Sequence, residues 1–206
     1  TFINAATITN QASNGKALYI SGTINSLQTV GEFLATGTGT GNMGISVDGG
    51  TLNTLQNSGT IRATNGWGLA LGGKSPRVGA IHNSVKLYAV FNSTLGTITN
   101  ITNTADILTS ATVNTGAITN QGVITLIRNE SHITGYHASN HYGIYNDSGT
   151  ITTIENYGTI SANASSPDIY NRNGTIGTLI NRQGGSDALS YKGTAPTNYE
   201  IVISDS

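Results

Sequence analysis

The side chains able to do chemistry are few and scattered. Of 206 residues, nine are Lys or Arg and ten are Asp or Glu. Glycoside hydrolysis needs two carboxylates about 5 to 9.5 Å apart. Lyase chemistry needs acids gathered around Ca²⁺ with a basic partner. Asp147 and Asp168 come nearest to such a pair, on the assumption that they stand one repeat apart in one column, and no basic residue stands at a matching position. The expectation is no catalytic residue and no enzyme. His132, His137 and His141 form a transition-metal set by residue type. Their spacing matches no common zinc motif, so they read as part of a polar aromatic loop, with no metal and no cofactor. With Tyr136, Tyr142 and Tyr145 that loop is a candidate contact surface, because tyrosine gives adaptable interface area. Trp67, the single tryptophan, lies between Gly66 and Gly68. It reads first as packing across a corner of its own rung, and second as a carbohydrate platform or interface anchor. Lys74 and Arg77 belong to a turn-rich stretch that is a second candidate contact loop.

Composition narrows the classes of function. The nine basic residues stand singly, so nothing draws nucleic acid or an anionic membrane electrostatically. No stretch approaches the 18 or so apolar residues of a spanning helix. Cysteine is absent, which fits a bacterial surface protein with a large, fully hydrogen-bonded core. The chain starts at Thr1 with neither a basic nor an apolar leader region, as a processed or excised piece does. Asn-x-Ser/Thr triplets at Asn92, Asn129 and Asn163 are what chance produces in a chain this rich in Asn, Thr and Ser.

What must position these residues is a repeat. Gly149-Thr150-Ile151-Thr152-Thr153-Ile154-Glu155-Asn156 recurs in outline at 50–57, 96–103, 122–129 and 174–181, with a degraded copy from Gly22 in which Thr29 replaces the Asn. A period of roughly 25 to 29 residues marks a stacked solenoid. Gly, Thr, Asn and Ser disfavour helix, while Thr, Ile, Val and Tyr favour strand. Ile151 and Ile154, three apart, both face inward if the chain turns a corner between them. Gly158 makes a further corner before Ile160, and Gly143-Ile144-Tyr145-Asn146 or Asp168-Ile169-Tyr170-Asn171 supplies another strand. The fold expected is an all-β, right-handed, single-stranded parallel β-helix of about eight three-strand rungs. It forms one domain over 1–206, with repeats to about 181 and a cap or continuation over 182–206. Asn57, Asn103, Asn129, Asn156 and Asn181 should stack as a structural ladder, since Asn tolerates corner conformations and its amides bond from rung to rung. The stretch 72–85 is expected to break the pattern, with a rung from Gly79 that does not reach an Asn. Thr-x-Thr pairs at 7/9, 97/99 and 150/152 suggest an ice-binding column, broken at Asn53, Ala117 and Gly177.

The repeated Gly-Thr-Ile-x-x-Ile-x-Asn-x-Gly-Thr-Ile words and the tail Gly184 to Tyr199 resemble passenger domains of bacterial autotransporters (type V secretion). That resemblance implies export, a right-handed β-helix and roles in adhesion, aggregation or biofilm. The translocator barrel of that family is absent from these residues. The expected function is a non-enzymatic stalk or adhesive module, extracellular or on the bacterial outer surface. Its expected partner is a host or bacterial surface glycan or protein. The alternative is a self-associating subunit that stacks end to end in a filament or matrix.

Overall fold

A computed structural model of the chain describes residues 1–109, 115–136, 141–163, 165–182 and 189–201. Every strand pairing in it is parallel, and the described residues contain no helix. The strands stack into sheets of ten, seven and eight strands. One rung runs from Thr51–Asn57 in the ten-strand sheet to Thr60–Ala63 in the seven-strand sheet, then to Gly66–Gly72 in the eight-strand sheet. The next rung begins at Arg77–Asn83. This is a β-solenoid with about seven turns, one fewer than the repeat count suggests. Neighbouring rungs lie about 4.8 Å apart.

The interior consists of aligned aliphatic columns. Leu52, Val78, Ile98, Ile124, Ile151 and Ile176 share one register in the ten-strand sheet, and Leu55, Ile81, Ile101, Ile127, Ile154 and Leu179 share another. All are at most 1% exposed. Phe33, Ile61, Leu87, Ile107, Ile133 and Ile160 fill the seven-strand side, and Ile45, Leu69, Val90, Ile118, Ile144 and Ile169 the eight-strand side. Ile151 and Ile154 lie in one strand, Thr150–Asn156, so both belong to one sheet and no corner between sheets separates them. Near the start of the chain the same stretch is two strands, Thr23–Ile24 and Leu27–Thr29, and both pair with Thr51–Asn57.

The Asn ladder closes the corner between the ten- and seven-strand sheets. Each Nδ2 donates to the next Oδ1: Asn57 to Asn83 at 2.7 Å, Asn83 to Asn103, Asn103 to Asn129, Asn129 to Asn156 and Asn156 to Asn181, all at 2.8 Å. Asn83 overturns the expectation that the rung after Gly79 lacks its Asn. Arg77–Asn83 is a full-length strand in register with Thr51–Asn57, and only a short turn precedes it. The Asn57, Asn83, Asn103 and Asn129 amides also donate to main-chain carbonyls; Asn129 donates to Ser131 at 3.0 Å and Thr159 at 3.1 Å. These amides take up carbonyls that a buried corner strips of water. Thr29 occupies the Asn position one rung earlier and accepts from Asn4 Nδ2 at 3.3 Å.

A second ladder, which the repeat word does not announce, closes the corner between the eight- and ten-strand sheets. Asn92, Asn120, Asn146 and Asn171 are fully buried and linked at 2.8 Å. Leu71 precedes Asn92 in this column, so nothing below donates to Asn92 Oδ1, and that atom has no hydrogen-bond partner. At the same corner Gly49, Gly73, Ser148 and Asn173 take left-handed φ values of 70°, 74°, 64° and 59°, a conformation favoured by Gly and tolerated by Asn. The glycine that opens the repeat word is fixed by close approach. A Cβ on Gly149 would lie 2.4 Å from Asn120 Nδ2, and one on Gly174 would lie 2.3 Å from Asn146 Nδ2.

The C-terminal stretch continues the stack. Tyr191–Gly193 pairs with Ile169–Arg172, and Asn198–Ile201 pairs with Thr175–Asn181.

Candidate functional site

With the interior committed to aliphatics and Asn, chemistry is left to the outward positions, and the three sheets differ sharply there. The seven-strand face is mixed in charge, with Arg62 beside Glu32 at 2.9 Å and His132 beside Asp106 at 3.5 Å. Such exposed pairs contribute little to stability. The ten-strand face is dominated by Thr, with Arg77 and an Arg128–Glu155 pair at 3.5 Å among them. The eight-strand face carries the rings Tyr19, Trp67, Phe91, Tyr142, Tyr145 and Tyr170.

Three of those rings form one cluster. Tyr142 lies 5.2 Å from Tyr145 and 5.2 Å from Tyr170, and Tyr145 stacks on Tyr170 at 5.5 Å. Tyr145 and Tyr170 face each other because their strands are in register, with Asn146 opposite Asn171 beside them. Tyr145 is only 8% exposed. Burial pushes the Tyr142 and Tyr145 phenols above their ordinary value; Tyr170 adds to this for Tyr142, and Asp147 for Tyr145. Cations flank the cluster. Arg172 lies 5.5 Å over Tyr145 while paired with Asp147 at 2.7 Å, and Lys192 lies 5.4 Å over Tyr170. A lesser aromatic pair, Trp67 on Phe91 at 4.9 Å, sits further down the same face.

The residues singled out in the sequence separate accordingly. Tyr142 and Tyr145 do meet, but on the strand Tyr142–Asp147 and not in a loop. Trp67 also lies on a strand, and it packs against the following rung instead of across a corner of its own. Tyr136 is exposed, and its main chain bonds Thr109 Oγ1 in both directions, at 2.7 and 3.0 Å. His141 is buried, against the expectation of a solvent loop, and His137 lies outside the described residues. His132 is exposed on the seven-strand sheet. Among the described residues no three His, Cys, Asp or Glu side chains gather as a metal set. Lys74 is exposed in the turn before Arg77, and Arg77 opens a strand of the ten-strand sheet.

Asp147 and Asp168 do not share a column. Ile144 pairs with Ile169, which sets Asp168 beside Gly143, four residues from Asp147 along the strand. That is about 13 Å at 3.3 Å per residue, beyond glycosidase spacing. Asp147 holds Arg172 and Gln121, while Asp168 accepts from the main chain of Ala162 and Ser190, both at 2.7 Å. The Thr-x-Thr pairs are also divided. Thr7–Asn10 lies in the seven-strand sheet, the pairs at 97/99 and 150/152 lie in the ten-strand sheet, and Ala117 is in the core of the eight-strand side. Asn92 and Asn129, heads of two glycosylation triplets, are buried ladder members.

Tyr170, Phe91, Arg172 and Lys192 were not singled out. Tyr170 had a visible signal, since Ile169-Tyr170-Asn171 repeats Ile144-Tyr145-Asn146 one rung on. The other three reach the site only through register.

The fold defines the class, a parallel β-solenoid whose outward faces carry separate chemistries. No protein-family model matches the sequence, and no curated protein or solved structure is significantly similar to it.

Proposed function

We propose that the chain is a non-enzymatic β-helix of a bacterial surface or secreted protein, a rigid stalk that adheres through its eight-strand face to a saccharide chain. The gathering of six outward rings on that face, with the Tyr142–Tyr145–Tyr170 cluster near its C-terminal end, is the observation that supports the reading. Tyr and Trp offer an apolar ring and a polar edge at small entropic cost. A sugar, with apolar C–H faces and a hydroxyl rim, is complementary to that. Arg172 and Lys192 add donors beside the rings. The ladders and aliphatic columns supply the rigidity that keeps such a face ordered before binding, which lowers the cost of association.

The test is binding of the purified chain to an array of bacterial and animal glycans. A double substitution, Tyr142→Ala with Tyr170→Ala, should weaken the bound glycan at least tenfold while circular dichroism stays that of a β-protein. A chain that binds no glycan, or binds equally well after the double substitution, defeats the proposal. Association that grows with protein concentration and is lost in the same variant would assign the face to self-assembly instead.

A further inference from the structure

We infer that a second binding site lies on the ten-strand face, around Arg77, and that it takes a sugar residue bearing a carboxylate. It is separate from the aromatic face and stands or falls without it.

Two outward columns run along the ten-strand sheet. In the first, Thr51, Arg77 and Thr97 are register partners in successive rungs. In the second, Asn53, Gly79 and Thr99 occupy the same three rungs, two residues further along each strand. Gly79 leaves a gap there. A Cβ at that position would lie 2.4 Å from the main-chain oxygen of Asn53, so the rung closes up only with Gly. The result is a notch of about 220 Å³, lined by Thr51, Asn53, Arg77, Gly79, Thr97 and Thr99.

The notch has unused bonding capacity. Arg77 makes no ion pair and no side-chain hydrogen bond among the described residues, whereas Arg62, Arg128 and Arg172 each hold a carboxylate. The hydroxyls of Thr51, Thr97 and Thr99 likewise make no side-chain hydrogen bond there. Asn53 is steadied from below, its Nδ2 donating to Asn25 Oδ1 at 2.9 Å. A guanidinium is permanently charged and presents a planar fork that fits a carboxylate bidentately. Three hydroxyls and an amide suit the hydroxyls of a ring.

Size and charge together select the occupant. Drug-sized ligands fill about 300 to 1,000 Å³, so a notch of about 220 Å³ suits a single ring. A neutral hexose would leave the charge of Arg77 unmatched. A bare inorganic anion would engage Arg77 and leave most of the hydroxyls unused. A uronate residue uses all of them, with its carboxylate on Arg77 and its ring hydroxyls on Thr97, Thr99 and Asn53. The open outer side lets the saccharide continue in both directions.

The experiment is titration of the ¹⁵N-labelled 206-residue chain with the trimer of galacturonic acid, with neutral galactose trimer and sodium acetate as controls. Saturable shifts are expected at the amides of Arg77, Gly79, Thr97 and Thr99 with the acidic trimer, and none at equal concentration with either control. Arg77→Gln should weaken binding at least tenfold. Arg77→Lys, which keeps the charge and loses the fork, should fall between. Thr99→Val should weaken binding severalfold without altering the fold. The Tyr142→Ala, Tyr170→Ala double variant should bind the trimer as the parent does. The inference is overturned by shifts absent from these amides, by neutral trimer binding equally, by acetate saturating the same amides at the same concentration, or by loss of binding in the tyrosine variant with none in Arg77→Gln.

Discussion

The ten-strand and eight-strand faces are built on the same backbone, yet their outward chemistries have almost nothing in common. Both are stacks of parallel strands in strict register over aliphatic columns, and each ends at a ladder of buried Asn. Outward, the ten-strand face shows Thr51, Thr97, Thr150 and Thr175 with the guanidiniums of Arg77 and Arg128, while the eight-strand face shows Trp67, Phe91, Tyr142, Tyr145 and Tyr170. A solenoid divides labour by direction. Inward positions are fixed by packing and by the need to satisfy corner carbonyls, and outward positions can vary at little cost to the fold.

The largest effect should come from ignoring that division. Ile127→Ala removes a fully buried member of a column that touches both neighbouring rungs, and the loss should be about 2 to 5 kcal/mol by chemical denaturation. If it costs no more than an outward substitution, the inward–outward contrast fails. Asn129→Ala comes next. It removes one acceptor of the Asn103 amide and the donor that serves Asn156 Oδ1 and the Ser131 and Thr159 carbonyls, at about 1 to 3 kcal/mol for the lost buried bonding. The Asn146→Ala change tests whether the second ladder matters equally, and its midpoint shift should match that of Asn129→Ala.

Outward changes should be smaller and should differ between faces. Tyr170→Ala loses its two ring contacts, so a cost of about 0.5 to 1.5 kcal/mol per pair is expected. By contrast, Thr152→Ser on the ten-strand face should stay within about 0.5 kcal/mol of the parent. The least conspicuous difference is in pH. Folding raises the Tyr142 and Tyr145 phenols above the ordinary tyrosine value, chiefly by burial. The folded state therefore disfavours phenolate, so their contribution is complete below about pH 10 and declines as pH rises past it. Phenolate absorbance should show these two titrating above the ordinary tyrosine value, and Tyr142→Phe should flatten the alkaline loss of stability.

Much of this architecture is legible in the repeat word, because side-chain types at fixed spacing report what each position must do. Ile151 and Ile154 announce the interior, and Asn156 announces the ladder. The reading failed where a residue lacked its usual neighbours in sequence. Asn83 sits in a rung whose word begins Arg-Val-Gly-Ala-Ile instead of Gly-Thr-Ile, so its membership shows only when Arg77–Asn83 is laid against Thr51–Asn57. The second ladder escaped notice for a similar reason. Its column reads Ile20, Val47, Leu71 in the first rungs and becomes Asn only at Asn92, so no single word carries it throughout. The sites are less legible still. Tyr142 and Tyr145 were visible as tyrosines, but their meeting with Tyr170 depends on a partner about 25 residues away. The carboxylates Asp147 and Asp168 looked paired by count and are separated by register.

The sequence by itself determined that this chain is a β-solenoid with Ile inside, Gly and Asn at its corners and Thr outside. Those choices follow from local conformation and burial, which repeat in every rung. Tertiary structure decided which outward residues become neighbours. Register between rungs sets Tyr145 beside Tyr170 and leaves Arg77 over the gap at Gly79. Stacking puts side chains about 4.8 Å apart that the chain separates by a whole turn, and turns of unequal length hide that alignment from a linear reading.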